Sequence, residues 1–433
     1  MRCVSMKLYL PKLLLKLLLK LLLKLVLKLL LALLLAGCAG HAQAAPLAPR
    51  PEMRGLWVVR TSILSPQAIA KVVSAAKLHH FNALFVQVRG RGDAFYQSSL
   101  EPRAEELRAA PADFDPLAEA VRQGHAAGLQ VHAWLNTCYV WGAGHRPAAL
   151  AHVVNQHPEW LARDSKGHFQ LASGAGCEGA FLSPANLDAR QHIHDVFLDV
   201  ATRYDIDGIH FDYVRYAGAA YDYSAAALAR FREQMQGSAR LIDVKIGEAR
   251  LATDRLSYPH MFPQEWQAFR RQQVTDMVAA ISHDVKAVKP WVVVSAAVFA
   301  DSKDAYTTRG QDWKTWLKNG YLDAVVPMAY GASTPIVARQ IRDAVAAAHA
   351  SGRYAYAGLG SWHIPVGSTV TKIEAARALG AEGSVLFSYG GMTQDGRTTR
   401  YLQALTQKCY VGAAAVPAMP WLAPHPAETL HGG

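Results

Sequence analysis

Eight short apolar runs, separated by alanine-rich stretches of helical periodicity, constrain the fold of this chain more than any other feature. They are RGLWVVR (54–60), NALFVQV (82–88), QVHAWLN (130–136), DGIHFDYVR (207–215), WVVVSAAVF (291–299), LDAVVPMAY (322–330), YAYAGLG (354–360) and GSVLFSY (383–389). Each is rich in Val, Leu or aromatic residues and short enough to be a buried strand. Between them, segments such as SPQAIAKVVSAAKLHH (65–80), DPLAEAVRQGHAAG (115–128) and PIVARQIRDAVAAAHASG (335–352) place apolar residues at helical spacing. Ser, Asp or Pro at their starts and Gly at the ends of the latter two are helix-capping choices. Eight strands alternating with helices predict an α/β fold, a parallel (β/α)8 TIM barrel; an open doubly wound sheet is the alternative. Residues 216–290 are too long for one crossover helix. AAALARFREQM (225–235) and the run 263–288 read as helices with a polar loop between them, an extended insertion between strands four and five. Such an insertion either walls one side of a cleft or only covers the barrel.

The two ends of the chain read differently. Residues 1–37 hold Arg2, Lys7, Lys12, Lys16, Lys20, Lys24 and Lys28, no acid, and run into LLLALLLAGC at 29–38. A basic region, an apolar region and small residues before a cleavage point form the layout of a secretory signal. Leu35, Ala36, Gly37 and Cys38 resemble a bacterial lipobox, in which the cysteine is acylated and begins the mature chain. The KLLL repeat also suits an amphipathic helix lying on a membrane surface. A spanning helix is disfavoured because lysines interrupt every candidate span. Ala39, where an aspartate would retain such a protein at the inner membrane, points by resemblance to the periplasmic face of the outer membrane. Residues 38–50 read as a tether and 411–433, rich in Ala and Pro, as a disordered tail, leaving 51–410 as one folded domain. Seven of the +11 charges lie in residues 1–37, so +4 remains, which is no argument for nucleic acid.

Cys138 and Cys177 fall in one candidate loop, and in an oxidising compartment they either staple it or stay two free thiols. No His/Cys spacing suggests a metal site and no glycine-rich phosphate loop is present, so neither metal nor cofactor is expected.

The barrel reading selects the candidate site, because side chains leave the packed interior for the mouth at the C-terminal ends of the strands. Asp212 sits near the end of strand four, flanked by Tyr213, Arg215 and Tyr216. An acid inside a run that otherwise reads as buried strand costs several kcal/mol and needs a reason. Polar residues occupy matching positions elsewhere: Arg89 and Asp93 after strand two, Asn136 after three, Asp301 after five, Tyr330 ending six, Trp362 after seven and Tyr389 ending eight. Asp205 and Asp207 read instead as strand-start positioning residues, and Arg54 as half of a buried pair.

RGLWV at 54, QVRGRGDAFYQSSLEP at 87, WLN at 134, HPEWL at 157, DGIHFDYVRY at 207, VSAAVF at 294, QDWKTWL at 311 and LDAVVPMAY at 322 together resemble family 10 of the glycosyl-hydrolase-like proteins. The resemblance covers roughly residues 51–405 in collinear motifs. It implies a barrel glycosidase, often an envelope lipoprotein, acting on peptidoglycan glycan strands, intact or stripped of their peptides. By analogy with barrel glycosidases, Asp212 would be the nucleophile. Asp301 would be the general acid/base, with Asp312 and Asp93 behind it. Arg89, Asn136 and Tyr330 would bind sugar hydroxyls or steady Asp212. Trp57, Tyr96, Tyr213 and Trp362 would stack on sugar faces, with Arg215 and Tyr389 completing the binding set. One departure matters: chitinase-type barrels carry DGxDxDxE on strand four, whereas His210 and Val214 replace the first inner Asp and the Glu here. The competing reading is an inactive barrel that grips wall glycan or an envelope partner. A deacetylase or amidase is disfavoured by the lack of a metal-ligand pattern.

The lipobox reading makes a direct prediction. Cys38→Ala is expected to release the protein from the membrane fraction and abolish labelling by a fatty-acid analogue; labelling equal to wild type would refute it.

Overall fold

A computed structural model describes Lys16, residues 19–26, Lys28, residues 50–174 and residues 177–425. Cys38 and its proposed acylation lie outside the described residues, as do residues 29–49 and 426–433. The described part of the leader is helical and exposed, and no described helix is long and apolar enough to cross a membrane.

The eight apolar runs form eight parallel strands: β1 (Met53–Val58), β2 (Ala83–Arg89), β3 (Gln130–Asn136), β4 (Gly208–Asp212), β5 (Val293–Phe299), β6 (Ala324–Met328), β7 (Tyr354–Gly360) and β8 (Gly383–Phe387). They close into a barrel because β1 pairs with β8 from Met53↔Gly383 to Trp57↔Phe387 and also with β2, which excludes the open doubly wound sheet. Helices pack outside, several with side-chain caps, among them the expected Ser65 and Asp115. Ser65, Asp115 and Asn186 accept from Ala68 N, Ala118 N and Ala189 N at 3.1, 3.0 and 3.0 Å, starting Pro66–Leu78, Pro116–Ala126 and Leu187–Arg203.

Strand periodicity sorts each run into two buried faces. Outward residues such as Leu56, Leu84 and Phe211 meet the helices, Phe211 stacking on Phe197 at 4.6 Å. Trp57, Phe85, Trp134, Val326, Tyr356 and Val385 fill the interior. On β4 the inner column is Gly208, His210, Asp212. His210 accepts from Trp57 Nε1 at 3.2 Å, which leaves Nδ1 to donate to Ser295 Oγ at 2.9 Å. This neutral form suits burial, which pushes the His210 pKa well down. Below it, His132 stacks on Phe85 at 4.5 Å and lies over Gly208.

Two expectations change here, and one open alternative is decided. The insertion contains helices Ala225–Ser238 and Pro263–Val288, but the stretch read as a polar loop holds two further helices, Leu241–Arg250 and the short Ser257–Met261. Residues 411–425 are not a disordered tail, for they run beneath the barrel. Glu52 N donates to Ala415 O, Asn82 to Ala414 O, Tyr354 to Ala418 O, and Trp421 Nε1 to Asp323 Oδ1 at 2.8 Å. Cys138 and Cys177 are both free and buried, so no disulfide staples the loop. Cys177 Sγ turns to Gly179 O at 3.0 Å, while burial pushes the Cys138 thiol up to about 12.

Gly208 is where β3 and β4 approach too closely for a side chain. A Cβ there would lie 2.0 Å from His132 Nδ1, and the His132 ring is pinned by Phe85. Gly208→Ala is therefore expected to lower stability by about 2 kcal/mol or more in urea unfolding. An unchanged midpoint would contradict this interior packing.

Candidate active site

The strand tips enclose a cavity of about 430 Å³ at the C-terminal mouth, lined among others by Arg60, Gln87, Trp134, Tyr139, Asp212 and Tyr330. Asp212 ends the inner column of β4, in register with Asn136 on β3. The chain is fixed there because Thr137 N and Cys138 N donate to Asp212 O and Tyr213 O at 2.7 and 3.1 Å. Tyr213 then takes the left-handed conformation (φ 48°), and its N–H turns back onto Asp212 Oδ1 at 2.7 Å.

Burial is the largest influence on the Asp212 carboxyl and raises its pKa to about 6. The Tyr213 N–H, the Arg215 charge and the Trp134 indole oppose that rise, while Glu178 adds to it. Asn136 organises the neighbouring donors. Its Oδ1 accepts from Trp134 Nε1 at 3.0 Å and its Nδ2 donates to Gly90 O at 2.7 Å. Tyr330 stays neutral, burial and then the Asp212 charge raising its pKa well above the ordinary value. Its ring stacks on Phe387 at 5.7 Å, and exposed Trp362 stands edge-on to both rings at 5.2 Å.

The second wall comes from the excursion between β3 and β4. Strands Tyr139–Trp141 and Ala180–Phe181 pair antiparallel, bringing Tyr139 to 4.8 Å from the Tyr213 ring. They also bring Glu178 onto Arg215, Oε1 to Nη2 at 2.8 Å, and the Arg215 guanidinium lies over the Tyr213 ring at 4.5 Å.

Of the residues singled out in the sequence, Asp212, Asn136, Tyr213, Arg215 and Tyr330 line the cavity, and Trp362 stands beside it. The others lie elsewhere. Asp301 is exposed and caps the turn Ser302–Asp304, its Oδ1 accepting from Lys303 N and Asp304 N at 3.0 Å each. Asp312 caps Trp313–Lys318 beside a separate cleft with Tyr306. Arg89 is fully buried on Glu101 (2.6 Å) and on the carbonyls of Asn136 and Thr137, so it braces the loops instead of facing sugar. Asp93 is turned onto Arg91, Tyr96 packs against Tyr204, Trp57 forms the interior beneath the cavity, and buried Tyr389 opens the helix Tyr389–Thr393. Glu178, Arg60, Gln87, Trp134 and Tyr139 escaped the sequence reading. Trp134 and Gln87 carried a signal, Trp134 as the inner neighbour of Asn136 at strand period two and Gln87 as a polar residue two positions beyond inward-facing Phe85 in a buried run.

An eight-stranded closed parallel barrel whose strand tips carry a buried acid and an aromatic-walled mouth places the chain in the TIM-barrel class. The pattern of the family Glycosyl hydrolase-like 10 matches residues 52–366, and the chain belongs to that family. It is 26% identical over 325 residues to glycosyl hydrolase DigH of Escherichia coli K12, covering 64% of this chain and 65% of that protein. It is 24% identical over 301 residues to glycosyl hydrolase YngK of Bacillus subtilis, covering 65% of this chain and 51% of that one. The chain thus spans less than two thirds of the length of these relatives. Among solved structures, the PgaB (BpsB) glycoside hydrolase domain of Bordetella bronchiseptica superposes with a TM-score of 0.60 at 18% identity, covering 84% of this chain and all of that domain. A β-amylase catalytic domain from Paenibacillus polymyxa superposes with 0.58 at 14%, covering 83% and 98%. At such identities these two likenesses concern the fold.

The Asp212 pKa, raised from 3.8 to about 6, sets a stability signature. The folded state holds this proton more tightly than the unfolded chain. Its stabilising contribution is therefore complete below about pH 4 and lost as pH rises through 6. Relative to Asp212→Asn, the wild type is expected to lose on the order of 3 kcal/mol across that window. Parallel pH–stability curves for the two proteins would refute the buried carboxyl.

Proposed function

We propose that this chain is a glycoside hydrolase of the bacterial cell envelope that cleaves peptidoglycan glycan strands, with Asp212 as the key carboxylate. The observation that carries the reading is a buried carboxyl of raised proton affinity at the floor of a cavity walled by Trp134, Tyr139, Tyr213 and Tyr330. Rings beside a few fixed polar groups suit a sugar, whose C–H faces stack while its hydroxyls hydrogen-bond. Ionised Asp212 attacks the anomeric carbon or activates water, and a second carboxyl protonates the leaving oxygen. Glu178 takes the second role in place of Asp301, because it acts on the Asp212 carboxyl electrostatically while Asp301 is committed to a helix cap; to carry the proton it leaves its 2.8 Å pair with Arg215 when substrate binds. The basic, leucine-rich leader ending at Cys38 supports a lipid-anchored envelope location.

The test uses the full chain in mild detergent with intact and peptide-stripped wall glycans, products being read by mass spectrometry. Asp212→Asn is expected to remove nearly all turnover while glycan binding persists, and wild-type kcat/KM to rise as pH passes about 6. Glu178→Gln is expected to lose less on aryl glycosides with good leaving groups, which need no proton. Wild-type turnover by Asp212→Asn would overturn the assignment. If neither protein cleaves glycan and both bind it equally, the chain is a binding barrel.

A further inference from the structure

The mouth holds a cation that bond cleavage by the two carboxyls does not use. Arg60 follows β1, opens the turn Arg60–Ser62 and lines the same cavity as Asp212. Its side chain runs across Gly90 so closely that a Cβ there would lie 2.4 Å from Arg60 Cδ. One face of the guanidinium is held: Nη1 donates to Gln87 Oε1 at 3.0 Å, and Gln87 is itself on the cavity wall. Its acidic neighbours are Glu106, at a long 3.4 Å from Nε, and Asp93, which feels its charge; Arg91 already grips both oxygens of Glu106 at 2.9 and 2.8 Å and both of Asp93 at 2.8 and 3.3 Å. Nη2 enters no hydrogen bond among the described residues. The other cavity cation, Arg215, differs in being tied to Glu178 at 2.8 Å. Arg60 is thus positioned by its stem and by one nitrogen while its fork keeps an unspent edge, and a planar guanidinium matches a carboxylate there.

We propose that Arg60 reads a carboxylate on the bound sugar, making it a specificity-determining residue for acidic glycans. The inference rests on the glycosidase reading of the same cavity and deepens it. On the peptidoglycan sugars themselves the carboxylate is that of the lactyl ether on muramic acid, which is an amide, and uncharged, wherever a stem peptide is attached. Removing the peptide exposes the anion that Arg60 pairs with. The residue therefore supplies a chemical reason for discriminating between bare and peptide-bearing strands, whatever steric exclusion adds.

The experiment compares peptide-free glycan strands with the same strands after their carboxyls are coupled to methylamine, which removes the charge at nearly constant size. Neutral N-acetylglucosamine oligomers and a uronic-acid oligosaccharide serve as further arms. Wild-type kcat/KM is expected to favour free over amidated strands by about 10- to 100-fold, the range of a charge-assisted hydrogen bond, mainly through KM. In Arg60→Gln that ratio is expected to fall towards one, and in Arg60→Lys, which keeps the charge but not the fork, to lie between. The wild-type preference is also expected to shrink between about 0.05 and about 0.5 M salt, a readout independent of whether either variant folds. Equal use of free and amidated strands by the wild type, an undiminished ratio in Arg60→Gln, or a preference that ignores salt would each overturn the proposal. A preference for the uronic-acid arm over peptide-free strands would keep the carboxylate and reject muramic acid as its source. If no glycan is cleaved, the same comparison is made by binding, read from tryptophan fluorescence. A carboxylate preference lost in Arg60→Gln then upholds Arg60 while the hydrolase reading fails, and absent or indiscriminate binding rejects Arg60 as well.

Discussion

Everything at the mouth depends on withdrawing one carboxyl from water. Asp212 is 8% exposed, and burial dominates its proton affinity. A charge in such a place is expensive unless donors meet it, and here they meet it only in part. The Tyr213 N–H reaches it because the chain turns left-handed immediately after the strand, a conformation that costs a tyrosine roughly 1–2 kcal/mol. That turn also places the Tyr213 ring against Tyr139 and beneath Arg215. One strained residue thus fixes the carboxylate, one aromatic wall and the seat of the guanidinium together. Barrel closure supplies the rest. β4 is pinned on both sides, by β3 up to the Asn136↔Asp212 pair and by β5 up to Phe211↔Ala296, so Asp212 cannot slide by one position without turning to the outside.

The barrel was legible because its strands are buried on both faces. Runs such as NALFVQV and WVVVSAAVF cannot be read as anything half-exposed, and eight of them alternating with helices leave little topological choice. Asp212 was legible for the complementary reason, being a charge where the pattern demanded none. Asp301 misled because nearness to a strand end does not say which way the loop then turns. After Phe299 the chain enters a helical turn at once, and the aspartate is consumed in capping it. The floor strap at 411–425 was hidden in its composition. The run GAAAVPA at 412–418 looks unstructured, yet its anchors are mostly backbone carbonyls of Gly412, Ala414, Ala415 and Ala418, which every residue type carries. The helix Leu241–Arg250 was hidden too, because Leu241, Ile242 and Ile246 face water and spoil the apolar periodicity that marks a packed helix.

Glu178 could not be read from any local signal, and the reason lies in how it is delivered. It stands on the return limb of a long excursion, and its position is set by pairings distant in sequence. Phe181 opposes Tyr139, and Leu182 N donates to Cys138 O at 2.7 Å. Gly179 allows the closest approach, since a Cβ there would lie 2.0 Å from Trp141 O. The excursion is not a loose lid. Trp141, Leu161, Cys138, Cys177 and Phe181 are buried in the same apolar layer as the barrel helices, so the two free thiols help to hold their loop by packing.

That packing bears on what the site can do. Electrostatic catalysis is strongest when charged groups need no rearrangement to meet a developing charge. Arg215 is held among three rings, those of Tyr213, Phe299 and Phe181 at 4.5, 5.1 and 5.5 Å, and it holds Glu178 in turn. The ring faces favour the cation without neutralising it, so Arg215 can orient Glu178 while its field also tempers the buried charge of Asp212. Arg60 stands apart from this chain of contacts, fixed by Gly90 and Gln87, with Glu106 3.4 Å from Nε and Nη2 in no hydrogen bond among the described residues. The two guanidiniums therefore divide the work by their partners. Arg215, paired at 2.8 Å, organises the acids, while Arg60, 3.4 Å from a carboxylate that Arg91 already grips, keeps an edge for the proposed sugar carboxylate.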